Sequence, residues 1–141
     1  MIDELTVRNC RWIAVPGASD VRGSINFLEV GKALDFAPQR LFWLHHVAPG
    51  QWRGRRGHRK TELVFVALHG GCRLHLDDGA IQQSVTLDDP ARALHVGTWV
   101  WHELTDFTPR AAIAVVASTP YEEAEYLRDY ETFKREAGAH L

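Results

Sequence analysis

Residues 63 to 87 read LVFVALHGGCRLHLDDGAIQQSVTL, and this stretch decides the fold. Leu63 to Leu68 is a short apolar run, and apolar and polar residues then alternate strictly from Cys72 to Leu76. Such patterns are typical of strands that turn one face toward a core. Asp77-Asp78-Gly79 supplies turn chemistry, so the chain is predicted to return through Ile81 to Leu87 as a β-hairpin.

The rest of the chain repeats this arrangement of short strands separated by turn residues. Further strands are predicted at Trp12 to Val15, Ser24 to Glu29, Arg40 to Val47, Ala93 to Val96, Trp99 to Glu103 and Ala111 to Ala117. Many short strands at regular spacing indicate an all-β sandwich or barrel. The run from Arg40 to Leu44 is apolar without alternation, which predicts a strand covered on both faces by a second sheet and by another subunit.

The C-terminal end is predicted to be helical. Thr119-Pro120-Tyr121-Glu122 has the form of a capping box with proline at the first helical position. The residues that follow favour a helix, and Gly138 is a stop signal. We expect one helix from about Pro120 to Ala137, lying against the barrel.

Length and composition limit the possible functions. A chain of 141 residues predicts a single domain over residues 1–141, and a net charge of −2 argues against a general nucleic-acid binder. Cys10 and Cys72 fit no zinc or redox spacing, so reduced structural thiols and a cytoplasmic location are expected. No membrane span or signal peptide is indicated, and no membrane partner is expected.

Cations are concentrated in one short segment. Within eight positions of this near-neutral chain lie Arg53, Arg55, Arg56, His58, Arg59 and Lys60. This clustering indicates a small anionic ligand, for which forked guanidinium groups suit a diphosphate and tryptophan faces suit a base or sugar. The alternative is a solvated charged rim with the tryptophans in the core.

Two of the eight histidines are candidates for proton transfer. His58 and His102 are predicted near strand ends, where the mouth of a barrel opens. Solvated or structural roles are expected for His69, His75 and His140. His45 and His46 are adjacent on a predicted strand and are expected to point to opposite faces.

A metal site is an alternative to metal-free chemistry. His58, Glu62 and His102 would be the ligands, but Arg56 would place a guanidinium group beside the dication. Metal-free chemistry is therefore favoured and no cofactor is expected. The chain also has no G-x-S-x-G, Walker or G-x-G-x-x-G motif.

Several short motifs together resemble one known family. They are D-x-R-G-S at Asp20 to Ser24, Arg-Gly at Arg53 and Gly54, His-x-Lys at His58 to Lys60, G-x-C-R at Gly70 to Arg73, L-D-D-G at Leu76 to Gly79, V-G at Val96 and Gly97, V-W-H-E at Val100 to Glu103, and D-F at Asp106 and Phe107. In this order they resemble the sugar 3,4-ketoisomerases that act on dTDP-4-keto-6-deoxyglucose, the WxcM-like C-terminal group of the RmlC-like cupins. The similarity runs from about Asp20 to Phe133.

The resemblance implies a cupin jelly roll and a homodimer that exchanges an N-terminal strand. Each barrel would bind a dTDP-linked keto-deoxy sugar without metal, and the product would feed an aminotransferase in deoxyamino-sugar biosynthesis. In the implied reaction a base removes the C3 hydrogen, which the C4 ketone acidifies. An enediol forms, and a proton returns to C4.

The resemblance also implies roles for individual residues. His58 would remove the proton, and His102 would aid reprotonation or orientation. Candidate substrate contacts are Arg22, Arg53 and Trp101, which match family positions, together with Arg40 and Glu103. The combination of Arg22 and His102 resembles the branch of the family with galacto-configured products.

One departure from the family pattern concerns the site itself. The family usually carries His-Ala-His where this chain has Arg56-Gly57-His58. An arginine stays protonated and is a poor base, although it stabilises an enediolate or binds phosphate. Three alternatives stay open: His58 is the base and Arg56 an electrostatic helper, the substrate or reaction differs, or catalysis is lost. A related isomerase or epimerase, a non-catalytic dTDP-sugar-binding cupin and a structural domain are therefore alternative functions.

Overall fold

A computed structural model describes residues 4–140. Twelve strands occur within them: Cys10–Ala14 (β1), Gly17–Asp20 (β2), Gly23–Asn26 (β3), Arg40–His45 (β4), Arg53–His58 (β5), Leu63–His69 (β6), Cys72–Asp77 (β7), Gln82–Leu87 (β8), Arg92–Val96 (β9), Trp101–Thr105 (β10), Ala112–Ala117 (β11) and Tyr126–Leu127 (β12). A 3₁₀ turn at Glu123–Glu125 precedes β12, and one α-helix, Tyr130–Gly138 (α1), follows it.

The strands form two five-stranded antiparallel sheets and a separate hairpin. The first sheet has the order β1-β9-β6-β11-β4, and the second has the order β12-β5-β10-β7-β8. β2 and β3 pair with each other and with no other described strand. The predicted all-β architecture is confirmed.

The main core lies between the two sheets. Phe65, Ile113 and Val115 from the first sheet pack with Leu74 and Leu104 from the second, and all five are essentially inaccessible to solvent. Each Å² of apolar surface removed from water contributes about 25 cal/mol of stabilisation, and this burial holds the two sheets together. The two sheets consequently have a closed apolar centre and one open end, which holds the site described below.

The hairpin predicted from Asp77-Asp78-Gly79 is present. β7 and β8 pair in an unbroken antiparallel register from Cys72 with Leu87 to Asp77 with Gln82. Asp78 Oδ1 accepts hydrogen bonds from the backbone N–H groups of Ala80 and Ile81, and Gly79 adopts a φ of 93°. A left-handed φ favours glycine, which explains the residue at this turn.

The predicted helix from Pro120 to Ala137 is wrong in its first half. The α-helix begins at Tyr130, where Asp129 is the N-cap and accepts a hydrogen bond from the N–H of Thr132. Tertiary contacts outweigh helix propensity before that point, because Glu125 is buried and β12 pairs with β5. Within residues 4–140, no helix is long and apolar enough to cross a membrane.

β4 differs from the predicted doubly covered strand. Its residues alternate, with Arg40, Phe42 and Leu44 turned inward and both Leu41 and Trp43 60% exposed. One face therefore belongs to the interior and the other forms an apolar surface in the single chain. Cover from another subunit remains a prediction.

The two cysteines behave as the sequence predicts. Both are free, and burial raises the pKa of each thiol to about 12. A thiol that stays protonated is a poor nucleophile. Cys10 and Cys72 are thus structural residues.

Candidate active site

A cavity of about 390 Å³ opens at one end of the two sheets. Its apolar floor includes Phe65 and Leu104, which belong to opposite sheets. Its polar lining consists of Arg40, Arg53, Arg56, His58, His102, Tyr121 and Tyr126. We call this cavity the pocket. Such a combination of an apolar floor and convergent polar groups is typical of a small-molecule site.

His58 is held by a buried carboxylate. It is the last residue of β5, near a strand end as the sequence predicts. Its Nδ1 lies 2.6 Å from Oε2 of Glu125, and the two side chains are only 5% and 2% exposed. Because the carboxylate only accepts hydrogen bonds, Nδ1 carries the proton of this bond, and Nε2 is the ring nitrogen left for a ligand in the pocket that His58 lines.

Glu125 is itself fixed by the backbone. Its Oε1 accepts hydrogen bonds of 2.8 Å from the N–H groups of both Lys60 and Thr61. Burial alone would raise the pKa of this carboxyl, but the hydrogen bonds from His58 and the two N–H groups outweigh it and lower the pKa to about 2. Glu125 is therefore an anion at neutral pH and a fixed acceptor for His58.

His102 is a second imidazole in the pocket. It stacks on His58 with ring centroids 5.7 Å apart and an angle of 10° between the planes. Burial, followed by the charges of His58 and Arg56, lowers the pKa of His102 well below its ordinary value. Its buried Nδ1 has no hydrogen-bond partner among the described residues. His102 is thus a neutral ring with a free polar atom beside the candidate base.

Three guanidinium groups, of Arg40, Arg53 and Arg56, line the pocket. No aspartate or glutamate among residues 4–140 lines it with them. The buried Nε and Nη2 atoms of Arg40 have no hydrogen-bond partner among residues 4–140. An uncompensated cluster of this kind favours an anionic ligand, because unsatisfied buried donors are costly.

A β-bulge in β5 changes the directions in which the arginine side chains of this strand point. In the pairing with β10, His102 opposes Arg56 while Glu103 opposes Gly54, so Arg55 is an extra residue. Gly54 and Arg55 both adopt left-handed φ values, of 88° and 59°. A bulge of this type re-aims side chains, which lets Arg53 as well as Arg56 reach the pocket.

The other cations of the cluster point away from the pocket. Arg55 pairs with Glu103 at 2.9 Å, Arg59 pairs with Glu136 at 3.2 Å, and Lys60 pairs with Glu122 at 2.7 Å. Solvent screening makes such exposed pairs weak contributors to stability. The cluster of cations predicted from the sequence therefore divides into residues that line the pocket, namely Arg53, Arg56 and His58, and residues outside it, namely Arg55, Arg59 and Lys60.

Three predicted site residues, Arg22, Trp101 and Glu103, lie outside the pocket. Because strand residues alternate, His102 faces inward and its neighbours Trp101 and Glu103 face outward. Trp101 packs against Phe133 of α1 with ring centroids 5.6 Å apart. Arg22 lies in the turn between β2 and β3, pairs with Asp20 at 2.6 Å, and has an 87% exposed side chain.

Two residues that sequence reasoning did not assign belong to the site. Glu125 orients His58, and Tyr126 lines the pocket with its hydroxyl 2.8 Å from Nη1 of Arg40. Both residues lie in a segment whose pattern predicts a helix, so the sequence does not indicate that they belong to the site. A usable signal is the aromatic pair Tyr121 and Tyr126, which both line the pocket.

The remaining histidines have other environments. His75 bonds to Ser84 and Thr105, and His69 bonds to the carbonyl of Arg110, as expected of structural residues. The prediction that His45 and His46 face opposite sides is wrong. The strand ends at His45, His46 has a φ of 53°, and the two Nδ1 atoms lie 2.6 Å apart.

The alternative metal set of His58, Glu62 and His102 does not come together. Glu62 bonds to His95 at 2.9 Å on another surface, and only the two histidines line the pocket. Arg56 lines the pocket beside them and would repel a cation. The described donor set of the pocket therefore suits an anion.

A family model described as FdtA: WxcM-like, C-terminal, matches residues 8–138. The chain belongs to this family. The match covers nearly the whole sequence and includes every residue of the pocket. It confirms the family that the short motifs predicted.

Individual members of the family are similar to the chain in sequence and in structure. The TDP-4-oxo-6-deoxy-alpha-D-glucose-3,4-oxoisomerase of Aneurinibacillus thermoaerophilus is 42% identical over 116 residues, which is 82% of this chain and 84% of the relative. The 3,4-ketoisomerase QdtA of Thermoanaerobacterium thermosaccharolyticum, solved with TDP, superposes with a TM-score of 0.94 at 27% identity over 96% of this chain and 99% of QdtA. The WlaRB TDP-quinovose 3,4-ketoisomerase of Campylobacter jejuni gives 0.87 at 31% identity over 92% and 99%.

These similarities also bear on the predicted fold and activity. The cupin-like jelly roll with a C-terminal helix is confirmed, because the solved ketoisomerases share it at high TM-score. The relatives are isomerases of TDP-linked keto sugars, the class of enzyme that the sequence predicts. Arg56, the residue at which the sequence predicts a departure from the family pattern, lines the pocket.

Proposed function

We propose that this protein is a 3,4-ketoisomerase of a TDP-linked 4-keto-6-deoxyhexose. The observation that carries the proposal is the Nδ1-bound His58, which Glu125 holds at the wall of a pocket lined by three arginines. An imidazole whose Nδ1 is fixed by a carboxylate is suited to accept and return a proton at Nε2. The relatives' activity on such sugars supports this choice.

His58 acts as the carbon base in this proposal. Its Nε2 removes the C3 hydrogen, which the adjacent C4 ketone makes acidic, and the electrons pass toward the C4 oxygen. The same imidazole then delivers the proton to C4. The His58–Glu125 pair supports the transient imidazolium, because the carboxylate stays charged.

In this proposal Arg56 supplies a fixed positive charge at the position where the resemblance implies a histidine. It cannot exchange protons at neutral pH, but it stabilises the enediolate as negative charge develops. Its position opposite His102 across the β5–β10 pairing puts it at the pocket wall, close to both imidazoles. Arg40 and Arg53 bind the diphosphate of the nucleotide, and His102 orients the sugar as a neutral ring.

The position of Arg22 supports a proposal about the assembly. We propose a homodimer that exchanges its N-terminal hairpin, β2–β3, so that Arg22 of one protomer completes the pocket of its partner. The hairpin's lack of pairing to other described strands supports this, as do the exposed Leu41 and Trp43 on β4. The free cysteines support a reducing, cytoplasmic environment.

Proton NMR in deuterated buffer tests the function directly. TDP-4-keto-6-deoxyglucose incubated with the protein is expected to lose its C3 hydrogen signal to solvent and to give the 3-keto isomer. A binding cupin that has lost catalysis would give neither change, although TDP would still raise the melting temperature. An epimerase would exchange hydrogen but leave the ketone at C4.

A further inference from the structure

We propose that the hydroxyl of Tyr126 transfers the second proton of the reaction, the one that moves from the C3 oxygen to the C4 oxygen. The inference rests on the proposed ketoisomerase function and adds a catalytic residue to it. It follows from the position of the phenol in the pocket, beside His58 and in a hydrogen bond with Arg40.

The fold places Tyr126 directly beside the candidate base. β12 pairs with the end of β5, so that Tyr126 opposes His58 in the register. The two rings meet edge to face with centroids 4.6 Å apart. A sugar carbon within reach of His58 therefore has its oxygen substituents close to the phenol.

Arg40 determines the direction of the hydroxyl. Its Nη1 donates a hydrogen bond of 2.8 Å to the Tyr126 oxygen. A guanidinium group donates and never accepts, so the phenol's own proton is free to point to another acceptor. Because Tyr126 lines the pocket, that acceptor is a ligand oxygen.

The reaction requires the transfer of two hydrogens. One leaves C3 and arrives at C4, and the other leaves the C3 hydroxyl and arrives at the C4 oxygen. His58 carries the first. Tyr126 gives its proton to the C4 oxygen as the enediol forms and recovers a proton from the C3 hydroxyl as the new ketone forms, so the phenol is regenerated and no other reactant is needed.

Two other pocket groups, Arg56 and Tyr121, are less suited to this transfer. Arg56 does not give up its proton. The hydroxyl of Tyr121 donates a hydrogen bond to Glu123, and Tyr121 is 58% exposed. The guanidinium carbons of Arg56 and Arg128 lie 5.3 and 4.8 Å from the Tyr126 ring, and with Arg40 they stabilise the phenol oxygen while it is deprotonated.

The test measures two rates on the same samples of the full-length protein. Wild type, Tyr126→Phe and Tyr130→Phe are incubated with TDP-4-keto-6-deoxyglucose in deuterated buffer, and C3 deuterium washout and 3-keto product are followed by NMR. Tyr130 is the matched control, because its hydroxyl bonds to Asp77 and it does not line the pocket.

The Tyr126→Phe enzyme is expected to form product about 100-fold more slowly, whereas washout falls much less. The ratio of washout to product should therefore rise at least about tenfold. An unchanged ratio, or an unchanged product rate, would overturn the role of Tyr126. Wild type without washout or product would instead contradict the proposed function itself.

Folding is checked by the melting temperature and its shift with TDP. Should Tyr126→Phe fail to fold, 3-fluorotyrosine incorporation provides the second measurement, since it keeps the ring contacts and makes the phenol more acidic. The washout-to-product ratio is then expected to change relative to the unlabelled protein. A constant ratio would again overturn the proposal.

Discussion

Nδ1 of His58 and Oε2 of Glu125 lie 2.6 Å apart in a nearly solvent-free contact between the end of β5 and the segment before β12. The carboxylate is a fixed acceptor with a pKa of about 2, so the imidazole presents Nε2 to the pocket. This one contact joins the C-terminal segment to the candidate base. Under the proposed function, the segment from Glu123 to Leu127 has a catalytic as well as a structural role.

Replacing Glu125 by glutamine tests the orientation of the base. The amide introduced by Glu125→Gln would direct a donor at Nδ1, so His58 would change tautomer and turn a protonated Nε2 toward the substrate. We expect kcat to fall about 100- to 1,000-fold while the affinity for TDP stays within a factor of about two. Steady-state kinetics and calorimetric titration measure both quantities.

The matched control for that change is Glu136→Gln. Glu136 pairs with Arg59 at 3.2 Å outside the pocket. Its loss should leave kcat unchanged. If both variants were equally active, Glu125 would have only a structural role.

The same carboxylate predicts a pH dependence of stability. Hydrogen bonds lower its pKa in the folded protein from 4.5 to about 2, so folding is favoured by the anion. This contribution, on the order of 3 kcal/mol, is present above the unfolded pKa and is lost as the pH falls toward 2.

Denaturant unfolding at several pH values checks this sign. The free energy of unfolding of wild type should exceed that of Glu125→Gln at pH 7, and the difference should shrink below about pH 4.5. A difference that stays constant down to about pH 3 would show that Glu125 is not the group that titrates.

Arg40 is predicted to hold the anionic part of the ligand. Its Nε and Nη2 are buried and have no described partner. Arg40→Gln should weaken TDP binding by about tenfold, the equivalent of one charge-assisted hydrogen bond of about 1.4 kcal/mol. Calorimetric titration of TDP measures the loss.

The control for Arg40 is Arg11→Gln, which removes a cation paired with Asp35 on another surface. TDP should bind this variant as it binds wild type. Equal weakening in both variants would point to a general electrostatic effect rather than a contact.

A mixture of two inactive variants tests the exchanged dimer. Arg22→Ala and His58→Asn are each expected to reduce activity strongly, since one pocket would need Arg22 from one chain and His58 from the other. Coexpression should restore about a quarter of the wild-type sites, because half of the dimers are mixed and each has one complete pocket. No recovery in demonstrated mixed dimers would contradict the exchange.

The sequence predicts the sheets well because their signals are local. Alternation from Cys72 to Leu76 and the Asp77-Asp78-Gly79 turn determine the β7–β8 hairpin without help from distant residues. The sequence does not reveal β5 as a strand, since Arg-Gly-Arg-Arg-Gly-His has no apolar alternation. It is extended because it pairs with β10 and with β12, which periodicity does not show.

The site is predictable only in part for the same reason. His58 and His102 are recognisable as residue types, and the pocket brings them together. Trp101, which matches a family position, and Glu103 are predicted as substrate contacts, although strand alternation turns both outward. The sequence does not reveal Glu125, because its segment resembles a helix. Its role is visible only from its hydrogen-bond partners, which lie more than sixty positions away in sequence.

The central claim is that His58, rather than Arg56, exchanges the carbon-bound proton. The most direct measurement is C3 deuterium washout from TDP-4-keto-6-deoxyglucose by His58→Asn, whose amide nitrogen takes the place of Nδ1 beside Glu125, compared with Arg56→Gln. Washout should become undetectable in the first variant, with TDP binding retained, and should slow about 10- to 100-fold in the second. Washout at the wild-type rate in His58→Asn would contradict the account.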